Sequence, residues 1–319
     1  MIKLDIPVEA KYVVAFSGGA DSALLAYLLR QQKFDFRLVH VIHSDSKASK
    51  DGESIAEFCQ TWADTYDVAI EFACVKPSFD TTKAKGVEAA ERDARYSALF
   101  SALKPDEILL TGHHLDDSLE TMLFRLARGT SVKGMSGIQK ISPDSRLIRP
   151  LLSISKSEIQ LSVEAAAILY GHDSTNDDTE LSRGFIRNKI IPLFVEHFSR
   201  EKFYSSAKRA MENFSECSAL MEDLFNMDTQ ICGSNATGIH RVIFASLSEQ
   251  RQRNFIYHLV AKETKKFLTR SAIEEIRKRL NSNRKQLSFV VSGITVTLHQ
   301  QYFYIKNGTN EVNIGWTQK

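Results

Sequence analysis

An apolar run that empties into Gly-Gly and then directly into a helix pattern, Val13-Val14-Ala15-Phe16-Ser17-Gly18-Gly19-Ala20-Asp21-Ser22-Ala23-Leu24-Leu25, constrains this chain more than any other stretch. A strand that turns through two glycines onto a helix N-terminus builds an anion cradle. Gly18 and Gly19 let a phosphate approach the main chain, Ser17 and Ser22 offer hydroxyls, and the following helix presents unpaired N–H groups at its positive end. The Gly-Lys-Ser/Thr ending of a Walker A loop is missing, and Asp21 stands inside the turn. A divalent cation between Asp21 and the phosphates removes the repulsion. The two glycines alone also fit a plain tight turn with serine and aspartate caps. The complete Ser-Gly-Gly-x-Asp-Ser is more specific.

Four apolar strand patterns alternate with helical ones in the first half: Tyr12–Phe16, Arg37–His43, Val68–Cys74 and Glu107–Thr111, with Ser22–Gln32, Gly52–Tyr66 and Val87–Leu103 between them. This order predicts an α/β fold, a doubly wound parallel sheet with ligands at the carboxyl ends of its strands. After Leu152 the pattern is mainly helical: Lys156–Tyr170, Phe185–Glu196, Ser199–Met227, Ser248–Lys266 and Ser271–Leu280. The last of these opens with Ser271-x-x-Glu274, a capping-box pattern. Gly233–Gly238 reads as a loop, and the end turns to β: a hairpin of Leu287–Val291 and Ile294–His299, then Tyr302–Lys306. The division expected is a catalytic domain at 1–199 and a helical domain with terminal strands at 200–319.

At 319 residues and 43% hydrophobic content, two domains with proper cores are within reach. No apolar run reaches the ~20 residues of a membrane helix, and Met1-Ile2-Lys3-Leu4-Asp5 has no signal-peptide layout, so the cytoplasm is the expected compartment. Cys59, Cys74, Cys217 and Cys232 form no Cys-x-x-Cys pair, which argues against zinc, iron–sulfur and disulfide frameworks. Residues 1–199 carry 23 Lys+Arg against 28 Asp+Glu, net −5, while residues 200–319 carry 18 against 11, net +7. A basic second half points to a polyanionic partner such as nucleic acid, although a solvated helix face gives a milder version of the same count.

The stretch Gly112-His113-His114-Leu115-Asp116-Asp117-Ser118-Leu119-Glu120-Thr121 puts two histidines and three acids at a strand-to-helix junction. Asp117 and Glu120, three apart, share a helix face and together can hold an ammonium group. Helix capping explains Asp116 and Asp117 in part but not Glu120. Either histidine, alone, also fits a buried and satisfied ring. Next, Arg128-Gly129-Thr130-Ser131-Val132-Lys133-Gly134 is a glycine-rich loop with cations for phosphate. Arg183 and Arg187, four apart, project from one face if helical; pairing with Asp177 and Asp178 is the equal alternative.

Ser-Gly-Gly-x-Asp-Ser resembles the pyrophosphate loop of the N-type ATP pyrophosphatases, which split ATP between the α and β phosphates. The ordered set of Ser17–Ser22, His40-Val41-x-His43, Glu88-Ala89-Ala90-x-Arg92-x-x-Arg95-Tyr96, His113-His114-x-Asp116-Asp117-x-x-Glu120-Thr121, Arg128-Gly129, Arg149-Pro150-Leu151-Leu152 and Asp173-x-Thr175-Asn176 resembles one family, the tRNA(Ile)-lysidine synthetases. The match covers about the first 200 residues, and the last third resembles that family's smaller tRNA-binding domain in layout, as in a short form. One departure is His43-Ser44-Asp45-Ser46, where the family usually has His-Gly-Leu-Arg. Another is Gly184, where an Asn commonly follows the arginine that matches Arg183.

The resemblance implies that ATP adenylates the C2 carbonyl oxygen of the wobble cytidine in a CAU-anticodon tRNA(Ile), and that the ε-amine of L-lysine then displaces AMP. It implies Asp21, Asp117, Glu120 and His113 as catalytic residues. ATP would be bound by Ser17, Gly18, Gly19, Ala20, Asp21 and Ser22 with Arg95, Gly112 and Arg128, and Mg2+ by Asp21. Lysine and tRNA would be met by Asp117, Glu120, Lys133, Arg183, Arg187, Arg277 and Arg279. No membrane and no obligate protein partner are implied. Two other readings remain: another enzyme with the same loop, such as a 2-thiocytidine, GMP or NAD synthetase, and a tRNA-binding protein without activity. The missing Cys-x-x-Cys disfavours thiolation, and intact Ser17, Asp21, Asp117 and Glu120 disfavour inactivity.

Overall fold

The structure, a computed structural model, describes residues 2–43, 49–75, 87–142, 146–171, 182–235 and 238–308. Ser44–Ser46, Asp173 and Thr175–Asp178 lie outside the described residues. The chain forms two compact units, Met1–Phe214 and Ser215–Lys319.

In the first unit, β1 (Lys11–Ala15), β2 (Asp35–His43), β3 (Ile70–Val75), β4 (Glu107–Leu110) and β5 (Leu147–Ile148) form one parallel sheet in the order β3-β2-β1-β4-β5. Alternate residues of β1 serve opposite faces. Tyr12 and Val14 pack with Leu24, Leu25 and Leu29 of α1 (Ala20–Gln31) and with Cys59 and Trp62 of α2 (Ser49–Tyr66), whereas Val13 packs with Leu99 of α3 (Val87–Ser101). Both faces are therefore covered, as a parallel sheet requires. The strand order reverses between β1 and β4, and at such a switch point the loops leaving the two strands diverge to opposite faces and open a crevice.

Beyond β4 lies α4 (Leu115–Ala127), followed by the single-turn α5 (Val132–Met135), α6 (Lys156–Ala165) and α7 (Ser182–Phe185). The helix expected over Phe185–Glu196 is broken by a π turn, Ile186–Ile190, before α8 (Ile191–Phe198). The predicted boundary at 199/200 falls at the start of α9 (Arg200–Cys232), but the first unit continues to Phe214. The reason is a third apolar cluster, in which Tyr204, Ala207 and Met211 of α9 bury against Leu115, Leu119 and Met122 of α4.

The second unit sets an antiparallel sheet against α10 (Arg241–Ser246), α11 (Glu249–Thr264) and α12 (Arg270–Leu280). Its strands are β6 (Ser234–Asn235), β7 (Gly238–His240), β8 (Gln286–Val291), β9 (Ile294–His299) and β10 (Tyr302–Asn307), in the order β6-β7-β10-β9-β8. The segment Gly233–Gly238, expected to be only a loop, contains β6 and supplies the first residue of β7, because Ser234 and Asn235 pair with Ile239 and Gly238. The β8–β9 turn has positive φ at both Ser292 (50°) and Gly293 (72°), the geometry that a two-residue hairpin favours. Ser271 does not cap α12. Thr269 does, accepting from Ala272 N at 3.3 Å, while Glu274 pairs with Arg253 and Arg277.

Candidate active site

The loop after β1 stitches itself together. Ser22 Oγ donates to the Gly19 carbonyl (3.0 Å) and accepts from Ser17 N (3.2 Å), and Ser17 Oγ accepts from Gly19 N (3.4 Å). The hydroxyls expected to meet phosphate thus also shape the cradle. Gly18 sits at φ +84°, where a side chain would be strained and its Cβ would lie 3.2 Å from Cys59 Sγ. The Gly18 carbonyl accepts from Gly171 N at 2.8 Å. His40, buried within β2, donates from Nδ1 to the Phe16 carbonyl at 2.8 Å and so anchors the loop from the next strand. Among the described residues no side chain caps α1, and its first-turn amides point to where an anion can bind. Burial pushes the Cys59 thiol up to about 12, which keeps it protonated at neutral pH.

Gly112 brings the second loop onto the first. A Cβ there would lie 3.0 Å from the carbonyl carbon of Asp21, so any other residue would push the two loops apart by a few tenths of an ångström. The next residues begin α4 and gather acids around one ring. Asp117 accepts from His114 N at 3.0 Å. The buried His114 has Nε2 at 3.5 Å from Asp117 and 3.9 Å from Asp21, and its Nδ1 has no hydrogen-bond partner among the described residues. The ring chosen from sequence, His113, lies beside it with Nδ1 2.8 Å from Thr111 Oγ1. Burial pulls His113 down to about 4, helped by the charges of Arg149 and Arg92 and opposed by Asp117, so it is neutral at pH 7.

Glu120 is buried and grips Arg187 with both oxygens, at 2.6 and 3.0 Å. Burial raises the Glu120 carboxyl above its ordinary range and the guanidinium opposes the rise. Arg187 also stands 3.7 Å from Asp117. The acid pair expected to hold an ammonium group therefore already shares a guanidinium, supplied by Arg187 from the π turn.

Lys156, which sequence reasoning missed, completes the centre. As the first residue of α6 it donates from Nζ to Asp21 at 2.6 Å. Its backbone N–H donates to Asp116 at 2.8 Å, and Asp116 also accepts from Arg200 (2.9 Å) and Tyr204 (2.6 Å). The only sequence signal for Lys156 was its place at the start of the helical pattern Lys156–Tyr170; a contact across 135 positions leaves no local pattern.

Other expected residues fall elsewhere. Arg128 does not reach the loop: it ends α4, about 16 Å along the helix from Asp117. There, Arg128 and Arg183 stand 5.2 and 5.8 Å from the Phe124 ring and line a cavity of about 420 Å³ with Arg125 and Thr121. Lys133 lies on α5, close in sequence to this cavity. Arg95 is exposed on α3, while its neighbour Arg92 stacks on Tyr96. In the second unit, Arg277 is largely covered and held by Glu274 (2.8 Å) and Glu249 (3.3 Å), and Arg279 pairs with Glu275 (2.6 Å) over the Phe289 ring. Arg277 is thus part of that unit's own ion-pair network.

A self-stitched glycine loop at the strand-order switch faces an acid-rich helix start, and the PP-loop domain model matches residues 3–194. The chain belongs to the PP-loop family. It is 30% identical to the tRNA(Ile)-lysidine synthase of Aromatoleum aromaticum over 327 residues, covering 100% of this chain and 75% of that protein. It is 36% identical to the tRNA(Ile)-lysidine synthase of Hamiltonella defensa over 234 residues, 70% of this chain and 50% of that protein. Within its class, the chain belongs to the tRNA(Ile)-lysidine synthase family. It spans about half the length of several of the curated relatives it matches. Among solved structures, the U34-tRNA thiolase NcsA from Methanococcus maripaludis aligns with a TM-score of 0.45 at 18% identity, over 65% of this chain and 72% of that one.

Proposed function

We propose that this protein forms lysidine: it adenylates the C2 carbonyl oxygen of the wobble cytidine of a CAU-anticodon tRNA(Ile) with ATP, then joins L-lysine through its ε-amine and releases AMP. The observation that carries the reading is the contact of Gly112 with Asp21, which sets the phosphate loop against the Asp117–Glu120 helix face. A cytosine C2 carbonyl is a poor electrophile with a poor leaving group, and conversion to an adenylate corrects both faults. One hard displacement becomes two easier ones, with the covalent intermediate on the substrate.

Asp21 fits a Mg2+–phosphate complex. Its Oδ1 is engaged by Lys156 and its Oδ2 has no partner among the described residues, and Mg2+ is commonly held by one or two carboxylates plus substrate phosphates. When bound, the ion would neutralise charge on the departing pyrophosphate. The loop amides and the α1 N-terminus bind the same phosphates. Lysine's ammonium, ordinarily near pKa 10.4, must lose a proton before attack. Asp117 Oδ1, which makes no hydrogen bond among the described residues, receives the ammonium, and Asp117 or a histidine of the same junction takes its proton. Glu120 contributes by holding Arg187.

The test is product analysis with purified protein, ATP, Mg2+, lysine and tRNA(Ile) transcript. AMP and pyrophosphate, formed only when the tRNA is present, support the reading. ADP and phosphate refute it.

A further inference from the structure

We infer that Lys156 is a second cation of the nucleotide site: its ammonium group, seated on Asp21, is placed to bind the β and γ phosphates and to stay with them as pyrophosphate departs. The inference rests on the ATP-cleaving reading above and adds a residue to it from outside the glycine loop.

Three observations carry it. First, Lys156 Nζ lies 2.6 Å from Asp21 Oδ1, inside the Ser17–Ser22 loop, and among the described residues no other ammonium or guanidinium group hydrogen-bonds to that loop. The serine hydroxyls there are already engaged with the loop's own backbone, so among the described residues Lys156 is the cation hydrogen-bonded to the cradle and able to move onto a phosphate. Second, the pair is half exposed, 42% for the lysine side chain and 30% for the aspartate. An ion pair open to solvent is held weakly, so the ammonium can exchange a carboxylate for a phosphate at small cost. Third, the main chain beneath it is fixed. Lys156 N is bonded to the buried Asp116, which Arg200 and Tyr204 hold in turn, and Ser155 caps the helix by accepting from Glu158 N. A rigid base with a flexible four-carbon stem suits a point charge that follows a moving anion.

The chemistry has a place for that charge. The RNA carbonyl oxygen forms a bond to Pα, the bond from Pα to the bridging oxygen breaks, and the electron pair remains on pyrophosphate. Negative charge grows on that oxygen, and an N–H of Lys156 donates to it; no proton needs to leave the lysine.

A purely structural role, in which Lys156 only neutralises Asp21, predicts different behaviour. Calorimetry on the full chain with Mg2+ and, separately, inorganic pyrophosphate, ATP and AMP distinguishes the two. Lys156→Met is expected to weaken pyrophosphate and ATP about ten-fold or more and AMP less than about two-fold. With Mg2+ left out, so that the metal-binding role of Asp21 does not enter, adding Asp21→Asn to Lys156→Met is expected not to restore pyrophosphate affinity, and Lys156→Arg to keep part of it. Parental pyrophosphate affinity in Lys156→Met, or its recovery in the double variant, overturns the inference. If Lys156→Met melts early, Lys156→Gln carries the same comparison. A parent protein that binds pyrophosphate through Lys156 but makes no lysidine would remove the proposed function and leave this inference standing.

Discussion

Gly112 measures how little room separates the two loops of the site. Its absent Cβ would meet Asp21 main chain at 3.0 Å, which backbone cannot yield as a flexible side chain can. Gly112→Ala is therefore expected to fold normally by circular dichroism yet lose several-fold in AMP formation, because it shifts the two loops apart by a few tenths of an ångström and group transfer is sensitive to placement. Asp117→Asn is expected to raise the KM for lysine about ten-fold or more with ATP affinity unchanged; equal lysine kinetics in variant and parent would remove the assignment. His113 makes a prediction about stability. Its folded pKa of about 4 lies below its ordinary 6.5, so between these values the unfolded chain binds more protons. Stability therefore rises with pH through that window, is fully present above 6.5 and is lost as pH falls toward 4. His113→Gln is expected to flatten the dependence of melting temperature on pH there. The loop and the acids were legible in sequence because each is a compact motif. Lys156, 135 positions from its partner, and the seating of Arg187 on Glu120, 67 positions away, are tertiary facts with no local signature.

At the scale of elements, the site depends on α4 being held at both its start and its face. Asp116 fastens its first turn to α6 and α9, and Met211 of α9 packs on its apolar side while accepting from Ser118 Oγ at 3.4 Å. Met211→Ala removes a buried side chain and is expected to destabilise the first unit by about 2 to 3 kcal/mol in urea unfolding. The strands β1 to β4 and the helices between them were legible from periodicity, since a run buried on both faces and a helical stripe differ plainly. β5 was not, because two residues, Leu147 and Ile148, carry no period. The end of the first unit was missed because a helix that serves two cores shows no break in its sequence, and the false cap at Ser271 arose because Thr269, two residues earlier, satisfies the same backbone.

Over the whole molecule, charge separates into an acidic catalytic stretch and a basic remainder, net −5 for residues 1–199 and +7 for residues 200–319. If the basic part meets tRNA phosphates, exposed cations should carry it, and Arg270, Lys278, Arg284 and Lys285 are exposed. Neutralising these four is expected to weaken tRNA binding and to make its dependence on salt shallower, by roughly one unit of slope for each phosphate left without its cation. Arg277→Gln is expected instead to lower the stability of the second unit and leave the salt slope unchanged, since Arg277 already serves Glu274 and Glu249. The central claim, that this chain joins lysine to an RNA base through an adenylate, is tested most directly by mass analysis of nucleosides. The substrate is a CAU-anticodon tRNA(Ile) transcript incubated with the protein, ATP, Mg2+ and isotopically labelled lysine. The account predicts a cytidine nucleoside that has gained the label of one intact lysine; a digest whose cytidines all keep their original mass, with every reactant present, would contradict it.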